Sequence, residues 1–362
     1  MRGASDRGPQ RPAWAAALVR WYRRHARPLP WRRSRDAYAI WVSEVMLQQT
    51  TVTVVEPYFE RFLLRFPSIE ALARASEEEV VALWSGLGYY SRARRLWQAA
   101  RHVVKHHGGV FPRDPEAARS LPGVGRYTAG AVLSIAYDSP VAAVDGNIRR
   151  VLVRFHALAE PARRTEAALY SLAEQLLPRT GCGEWNQALM EVGATLCSVS
   201  QPSCGRCPLA RRCLARKLGI QEALRSSPPR RPSKPVRIQA ILILRRGRVL
   251  LCRARGDGGP LGRLWEVPHT GLDSDVEGSP VATIFQRYGL VVTPRRRLGL
   301  VRHTVTFRRL QIEVIMADLA PSSTPAVETR WWPVDSQEPL ATAGIVRKIL
   351  GLVPATRGRV PR

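Results

Sequence analysis

A chain of 362 residues with 45% hydrophobic content can bury real cores, and at roughly 100–200 residues per domain it holds about two. No apolar run approaches the ~18 residues of a membrane span, and the opening "MRGASDRGPQRPAW" lacks the apolar stretch of a secretory signal, so a soluble, cytoplasmic protein is expected. Fifty-six Lys and Arg against 29 Asp and Glu, a formal charge of +27, form the footprint of a phosphate-rich partner, the plainer reading being an Arg-rich solvated surface.

In chain order, the first distinctive element is "WVSEVMLQQT" (41–50), an apolar helical segment carrying one carboxylate, Glu44. On a helix Glu44 shares a face with Ile40, Trp41 and Leu47, which predicts a desolvated carboxyl that keeps its proton near neutral pH; a buried ion pair with one of the many arginines is the structural alternative. "SEEEVVALWSGLG" then places Ser76 and Glu79 at capping-box spacing before a helix. In "GLGYYSRARRL", Tyr89 and Tyr90 stand beside Arg92, Arg94 and Arg95, a pairing that suits bases and phosphates together, or simple packing at a helix entrance. "LPGVGRYTAGAV" puts Gly123 and Gly125 at the mouth of a helix whose free N–H groups can grip a phosphate backbone, though an ordinary helix connection has the same signature. "VAAVDGNIRRVLVRF" places Asp145 before a helix beginning near Ile148, where Asp is a favoured N-cap.

Four cysteines, Cys197, Cys204, Cys207 and Cys213, follow as C-x6-C-x2-C-x5-C and read as a metal site, the spacing fitting either tetrahedral zinc or an iron–sulfur cluster. Cys182 and Cys252 stand apart, as plain buried thiols. "RSSPPRRPSKPVR", with four prolines, cannot sustain regular structure, which places a linker at 225–236. Beyond it the pattern turns to strands: one pair about Arg246-Gly247, a second within "LVRHTVTFRRLQIEVIMADL", and "GIVRKILGLV" as a terminal helix.

From about residue 14 to 213 these segments, with "NQALMEVGATLC", fall in the order of the helix-hairpin-helix DNA glycosylases of the endonuclease III superfamily, and the chain resembles within it the MutY adenine DNA glycosylases. The resemblance implies an all-α helix-hairpin-helix domain over 1–224, two lobes with a cleft between them, and a [4Fe-4S] cluster on Cys197, Cys204, Cys207 and Cys213. It implies that an adenine is flipped out of double-stranded DNA, where it stands opposite 8-oxoguanine or guanine. Glu44 is then the acid that protonates adenine at N7, Asp145 stabilises or attacks the oxocarbenium-like sugar, and Asn147 assists. Trp31, Arg32, Leu47 and Gln187 line the base pocket. Gln48, Gln49 and Thr50, Tyr89, and the hairpin residues Leu121, Gly123, Val124 and Gly125 meet the DNA, with Gln49 and Tyr89 as wedges. Tyr127 stands where the related glycosylase/lyases carry a Schiff-base lysine, so the resemblance implies a monofunctional enzyme; a monomer associated with the nucleoid is also expected.

The second half, 237–355, resembles the α+β Nudix-like domain of that family, most clearly in "GPLGRLWEVPHTG". No Asp or Glu occurs between Glu277 and Glu313, so the acidic helix of Nudix hydrolases is missing and nucleotide pyrophosphatase activity is not expected. Where the family commonly reads Phe-Ser-His after "RHT" to contact 8-oxoguanine, this chain has Val305, Thr306 and Phe307, leaving Thr306 and His303 as the lesion-recognition candidates. Two other readings compete: a glycosylase for another base, such as T opposite G, and a non-catalytic iron–sulfur DNA-binding protein, which would have little reason to face two carboxylates toward a polyanion.

Overall fold

The expected helices of the first half form as a series of short segments, some of them closed by a side-chain N-cap. In chain order they are α1 (Ala13–His25), α2 (Ala37–Leu47), α3 (Val52–Arg65), α4 (Ile69–Arg74), α5 (Glu77–Leu83), α6 (Ser91–His107), α7 (Pro115–Ser120), α8 (Arg126–Tyr137), α9 (Gly146–Phe155), α10 (Glu166–Leu176), α11 (Cys182–Thr195) and α12 (Leu214–Lys217). The computed structural model describes residues 13–158, 165–224, 232–253, 263–271, 279–305 and 307–353. By their contacts the residues divide into two compact units, Met1–Arg74 with Arg95–Pro228, and Ala75–Arg94 with Pro229–Arg362. The division differs from the continuous 1–224 domain expected from sequence, because α5 and the Gly88–Tyr90 turn pack with the C-terminal residues. Apolar periodicity says that a face must be covered, not which part of the chain covers it.

Within the first unit α2 is the innermost helix. The Asp36 carboxylate caps it by accepting the N–H groups of Tyr38 and Ala39 at 3.2 and 3.0 Å, and every residue from Tyr38 to Met46 is buried. A helix apolar on all sides is stable only when surrounded. The core around α1, α9, α10 and α11 is built on Leu18, Tyr22, Ile148, Leu152, Tyr170, Trp185 and Val192. α9 and α11 approach very closely at Gly193: a Cβ there would meet Asn147 Cβ at 2.5 Å and its Cα at 2.9 Å. The buried Asn186 amide ties α11 to α8 by donating to Ser134 Oγ at 2.9 Å, and to the connection before α9 by donating to Val141 O at 3.0 Å.

The second unit is a mixed sheet. Strands β1 (Lys234–Arg245), β2 (Arg248–Arg253), β3 (Trp265–Glu266), β4 (Val292–Val305), β5 (Arg308–Leu319) and β6 (Glu328–Pro333) pair in the order β3-β2-β1-β5-β4, with β6 also on β2. α13 (Pro280–Tyr288) and α14 (Gly344–Leu350) accompany the sheet. The β1–β2 hairpin turns where expected: Arg246 and Gly247 both take positive φ, 48° and 73°, as a two-residue turn matching strand twist requires. β4 and β5 form the second antiparallel pair, whereas β1 pairs with β5 in parallel from Lys234↔Arg308 onward. β1 therefore begins inside the Pro-rich stretch assigned to the linker; Pro235 is tolerated because it is only the second residue of the strand. The remainder of that stretch, 225–231, lies outside the described residues.

The α9–α11 contact generates a test. Gly193→Ala should lower the melting temperature, because overpacking a close helix contact costs about 1–3 kcal/mol, against roughly 1 kcal/mol that alanine gains over glycine in a helix. A thermal midpoint equal to or above the parent's would show that the two helices part without cost.

Candidate active site

A cavity of about 810 Å³ opens in the first unit, lined from α2, from the residues following it, and from α8, α9 and α11. Glu44, Tyr127, Asp145 and Asn147 line it together with Trp31, Arg32, Leu47 and Gln187, as do Gln48, Gln49 and Thr50. Residues separated by well over a hundred positions are thus brought to one wall.

Glu44 is 5% exposed. The Tyr127 hydroxyl donates to its Oε2. Burial pushes the Glu44 carboxyl up to about 7 from an ordinary 4.5; the Tyr127 hydrogen bond and Arg32 oppose the rise and the Asp145 charge adds to it. Burial also raises Tyr127 far above the usual phenol range, so Tyr127 remains a donor. Between pH 4.5 and about 7 the folded protein holds the Glu44 proton that an unfolded chain has released, so this group's contribution to stability declines as pH rises through that window.

Asp145 is both the N-cap of α9 and a wall of the cavity, so the structural and chemical readings of this residue coexist. Its Oδ1 accepts the Ile148 N–H at 2.7 Å and its Oδ2 accepts Asn147 Nδ2–H at 2.8 Å. Burial raises the Asp145 carboxyl, while the Ile148 N–H and Asn147 hold the rise down. Asn147 is held in turn by Arg150, whose Nη2 donates to Asn147 Oδ1 at 2.9 Å and to Gly193 O at 2.6 Å, and whose Nε donates to Cys197 O at 2.6 Å.

The pocket residues have fixed partners. Gln187 Oε1 accepts the Tyr22 hydroxyl at 3.0 Å, and the Arg32 guanidinium lies 5.5 Å from the Tyr22 ring centre. Arg32 donates to Glu191 Oε2 at 2.8 Å, and Arg27 pairs with the same carboxylate at 2.7 Å. Glu191, fully buried, also lines the cavity and was missed in the sequence: burial alone would raise its carboxyl, but Arg27 and Arg32 hold it below the usual range. Its only cue was a carboxylate inside the apolar "NQALMEVGATLC".

The other candidates fall elsewhere. In the turn before α8, Leu121 and Val124 are buried, 2% and 4% exposed, while Gly123 and Gly125 face solvent, so what this turn offers a ligand is backbone. Gly123 takes φ 77°, a conformation that glycine adopts freely, and α8 starts at Gly125 without a side-chain cap. Gln49 and Tyr89 are exposed, and both take positive φ, 61° and 49°; Tyr89 belongs to the second unit. His303 is half-buried on β4, paired across the sheet with Leu310, and burial lowers its imidazole pKa. Thr306 lies outside the described residues.

Cys197, Cys204, Cys207 and Cys213 are free, half-buried thiols gathered together. Burial, with the other three sulfurs nearby, pushes Cys207 up to about 11. Arg154 Nη1 donates to Cys197 Sγ at 3.3 Å, and Cys213 Sγ donates to Arg154 O at 3.4 Å. Four unbridged thiols beside buried guanidinium groups suit a thiolate-bound metal group. Among the described residues no group of three or more His, Cys, Asp or Glu side chains is placed to hold a metal ion.

Residues 42–175 match the HhH-GPD superfamily base excision DNA repair protein model, and residues 239–352 match a NUDIX domain model. The chain is 38% identical over 378 residues to the adenine DNA glycosylase of Mus musculus, covering 88% of this chain and 73% of that one. It is 36% identical over 411 residues to that of Homo sapiens, covering 96% and 75%. The chain belongs to the adenine DNA glycosylase family. A solved thermostable thymine-DNA glycosylase superposes with a TM-score of 0.52 at 30% identity, covering 57% of this chain and 95% of that one. Endonuclease III in a non-covalent DNA complex superposes at 0.50 and 21% identity, with the same coverage, and shares the fold. The enzyme is thus a base excision repair glycosylase with a helical domain and an α+β Nudix-like domain. Among the described residues no helix is long and apolar enough to cross a membrane.

The Glu44–Tyr127 pair makes a direct prediction. A carboxyl-carbon NMR titration, assigned by difference against Glu44→Gln, should give a midpoint near 7, and Tyr127→Phe should move it upward by removing the donor that favours the carboxylate. A midpoint near 4.5, or a downward shift in the variant, would contradict the pairing.

Proposed function

We propose that the enzyme is a monofunctional glycosylase that removes adenine standing opposite 8-oxoguanine or guanine in double-stranded DNA and leaves an abasic site. The observation that carries this reading is the shared cavity: a carboxyl that keeps its proton to about pH 7 and a second carboxyl held at a helix N-terminus line the same space. Breaking an N-glycosidic bond needs a proton on the leaving base and a negative charge beside the developing cation.

In this reading adenine enters the cavity from a flipped nucleotide, against Trp31, Leu47, Arg32 and Gln187. Glu44 Oε1 gives its proton to N7, the C1′–N9 bond breaks with its electron pair going to the base, and the Asp145 carboxylate opposes the charge left on the sugar. Asn147, its amide fixed between Arg150 and Asp145, holds that carboxylate in place. A water then adds to C1′ and surrenders a proton to the Glu44 carboxylate. Tyr127, which has no amine to form a Schiff base, orients Glu44. The backbone of Gly123 and Gly125 at the start of α8 suits a phosphate, while exposed Gln49 and Tyr89 suit insertion beside the lesion pair. His303 and Thr306 remain the candidates for reading 8-oxoguanine, and the enzyme is taken to act as a monomer associated with the nucleoid.

The residues around Cys197, Cys204, Cys207 and Cys213 fit a [4Fe-4S] cluster, which, when bound, would supply a rigid anchor for the surrounding basic loop. Anaerobically purified protein should carry about four irons per chain with broad absorbance near ~400 nm. One equivalent of zinc without iron would replace the cluster with a single-ion site.

Glu44→Gln and Asp145→Asn should each slow single-turnover adenine excision by about 10²–10⁴-fold or more while leaving binding to the mispaired duplex nearly intact, because both groups act on the transition state. In the parent enzyme the rate should fall as pH rises past about 7, as Glu44 loses its proton. Near-parental rates in either variant would remove that residue from the mechanism.

A further inference from the structure

Residues 75–94 fall between α4 and α6 in the chain, yet they share a compact unit with the C-terminal sheet, and the contacts are specific. On α5, the Glu78 carboxylate accepts Trp265 Nε1–H at 2.9 Å and pairs with Arg253 at 2.8 Å and Arg330 at 3.7 Å. Ser85, 2% exposed, donates from Oγ to Leu340 O at 2.9 Å and accepts the Thr342 N–H at 3.2 Å. Tyr90, 4% exposed, donates its hydroxyl to Thr342 O at 3.0 Å. The backbone of 340–342 is therefore grasped at both ends of the 85–90 turn.

Between those two grips stands Tyr89. It is 47% exposed, takes φ 49° directly after Gly88 at φ 71°, and has the Arg92 guanidinium 5.5 Å from its ring centre. A bulky residue in the left-handed region is strained and persists only where its surroundings over-determine it. Here the surroundings are Ser85 and Tyr90, both fixed to the C-terminal backbone.

We infer that Ser85 and Tyr90 are positioning residues through which the C-terminal domain holds Tyr89 in its displayed conformation, so that the aromatic wedge belongs mechanically to the lesion-reading domain. The inference rests on the proposed reading of Tyr89 as a residue that enters the DNA beside the lesion pair. Its consequence is that preference for 8-oxoguanine over guanine opposite adenine depends on two hydroxyl groups that touch neither DNA nor the excision cavity. Neither Ser85 nor Tyr90 lines that cavity.

The test is a double-mutant cycle in the full chain, reading single-turnover excision from A opposite 8-oxoguanine and A opposite G. Tyr89→Ala should reduce the preference for the 8-oxoguanine duplex by about tenfold, the scale of one lost base–aromatic stack. Tyr90→Phe, which keeps the ring and removes only the buried hydroxyl, should reduce it by about fivefold, and Ser85→Ala should act in the same direction. The Tyr89→Ala/Tyr90→Phe double variant should be no worse than Tyr89→Ala alone, because the anchor has nothing left to position. A merely structural role would lower the melting temperature of Tyr90→Phe and leave the preference unchanged, which overturns the inference. So does a double variant whose losses add in full. If Tyr89→Ala itself leaves the preference intact, the wedge reading and the anchor both fail; if Tyr89→Ala matters and Tyr90→Phe does not, only the anchor fails.

Discussion

Burying the Glu44 carboxyl inside α2 costs the folded protein several kcal/mol unless the group is neutral or well partnered, and its neighbours meet that requirement by leaving it protonated and giving it one hydrogen bond from Tyr127. Much of the first unit follows from this. α2 must be surrounded, so it is apolar on every side; the donor must come from elsewhere, so α8 has to cross where Tyr127 can reach. An arginine directly on Glu44 would favour the carboxylate and remove the proton that the chemistry needs. The arginines nearby are occupied instead: Arg27 and Arg32 are taken up by the buried Glu191. One carboxylate thus keeps the arginines from holding another in its ionised form.

The second carboxyl is held by a different device. Asp145 sits where the free N–H groups of α9 favour negative charge, and its partner Asn147 is secured by Arg150, which also binds the backbone of α11 at Gly193 and of the cysteine loop at Cys197. Helix end, helix crossing and cysteine loop therefore converge on one guanidinium. Both acids are desolvated, but their partners differ as their roles require: Glu44 accepts from the Tyr127 hydroxyl, whereas Asp145 accepts from both Ile148 N–H and Asn147 at a helix N-terminus.

Local signals were legible in the sequence wherever the physics is local. Ser76 and Glu79 form the reciprocal capping box their spacing predicts, Arg246 and Gly247 make the hairpin turn, and Glu44 is desolvated because its helical neighbours Ile40 and Trp41 are buried. Long-range choices were not legible. Nothing in "SEEEVVALWSGLG" indicates that its residues group with the C-terminal unit, and strand patterns cannot reveal that β1 pairs in parallel with β5. The short strands β3 and β6 and helix α13 carry too few periodic residues to stand out. Glu191 escaped because its meaning depends on Arg27 and Arg32, more than a hundred and fifty positions away. The four cysteines were readable as a set because their spacing is compact, while the choice of metal group depends on chemistry that spacing does not encode.

The placement of residues 75–94 in the second unit also bears on synthesis. A chain made at about 5–20 residues per second releases α5 about 12–50 seconds before β6, the last strand of its unit's sheet, is complete. During that interval Ser85 and Tyr90 are without the 340–342 backbone to which they bind. Residues 75–94 therefore cannot complete their own unit until the C-terminal residues have been made.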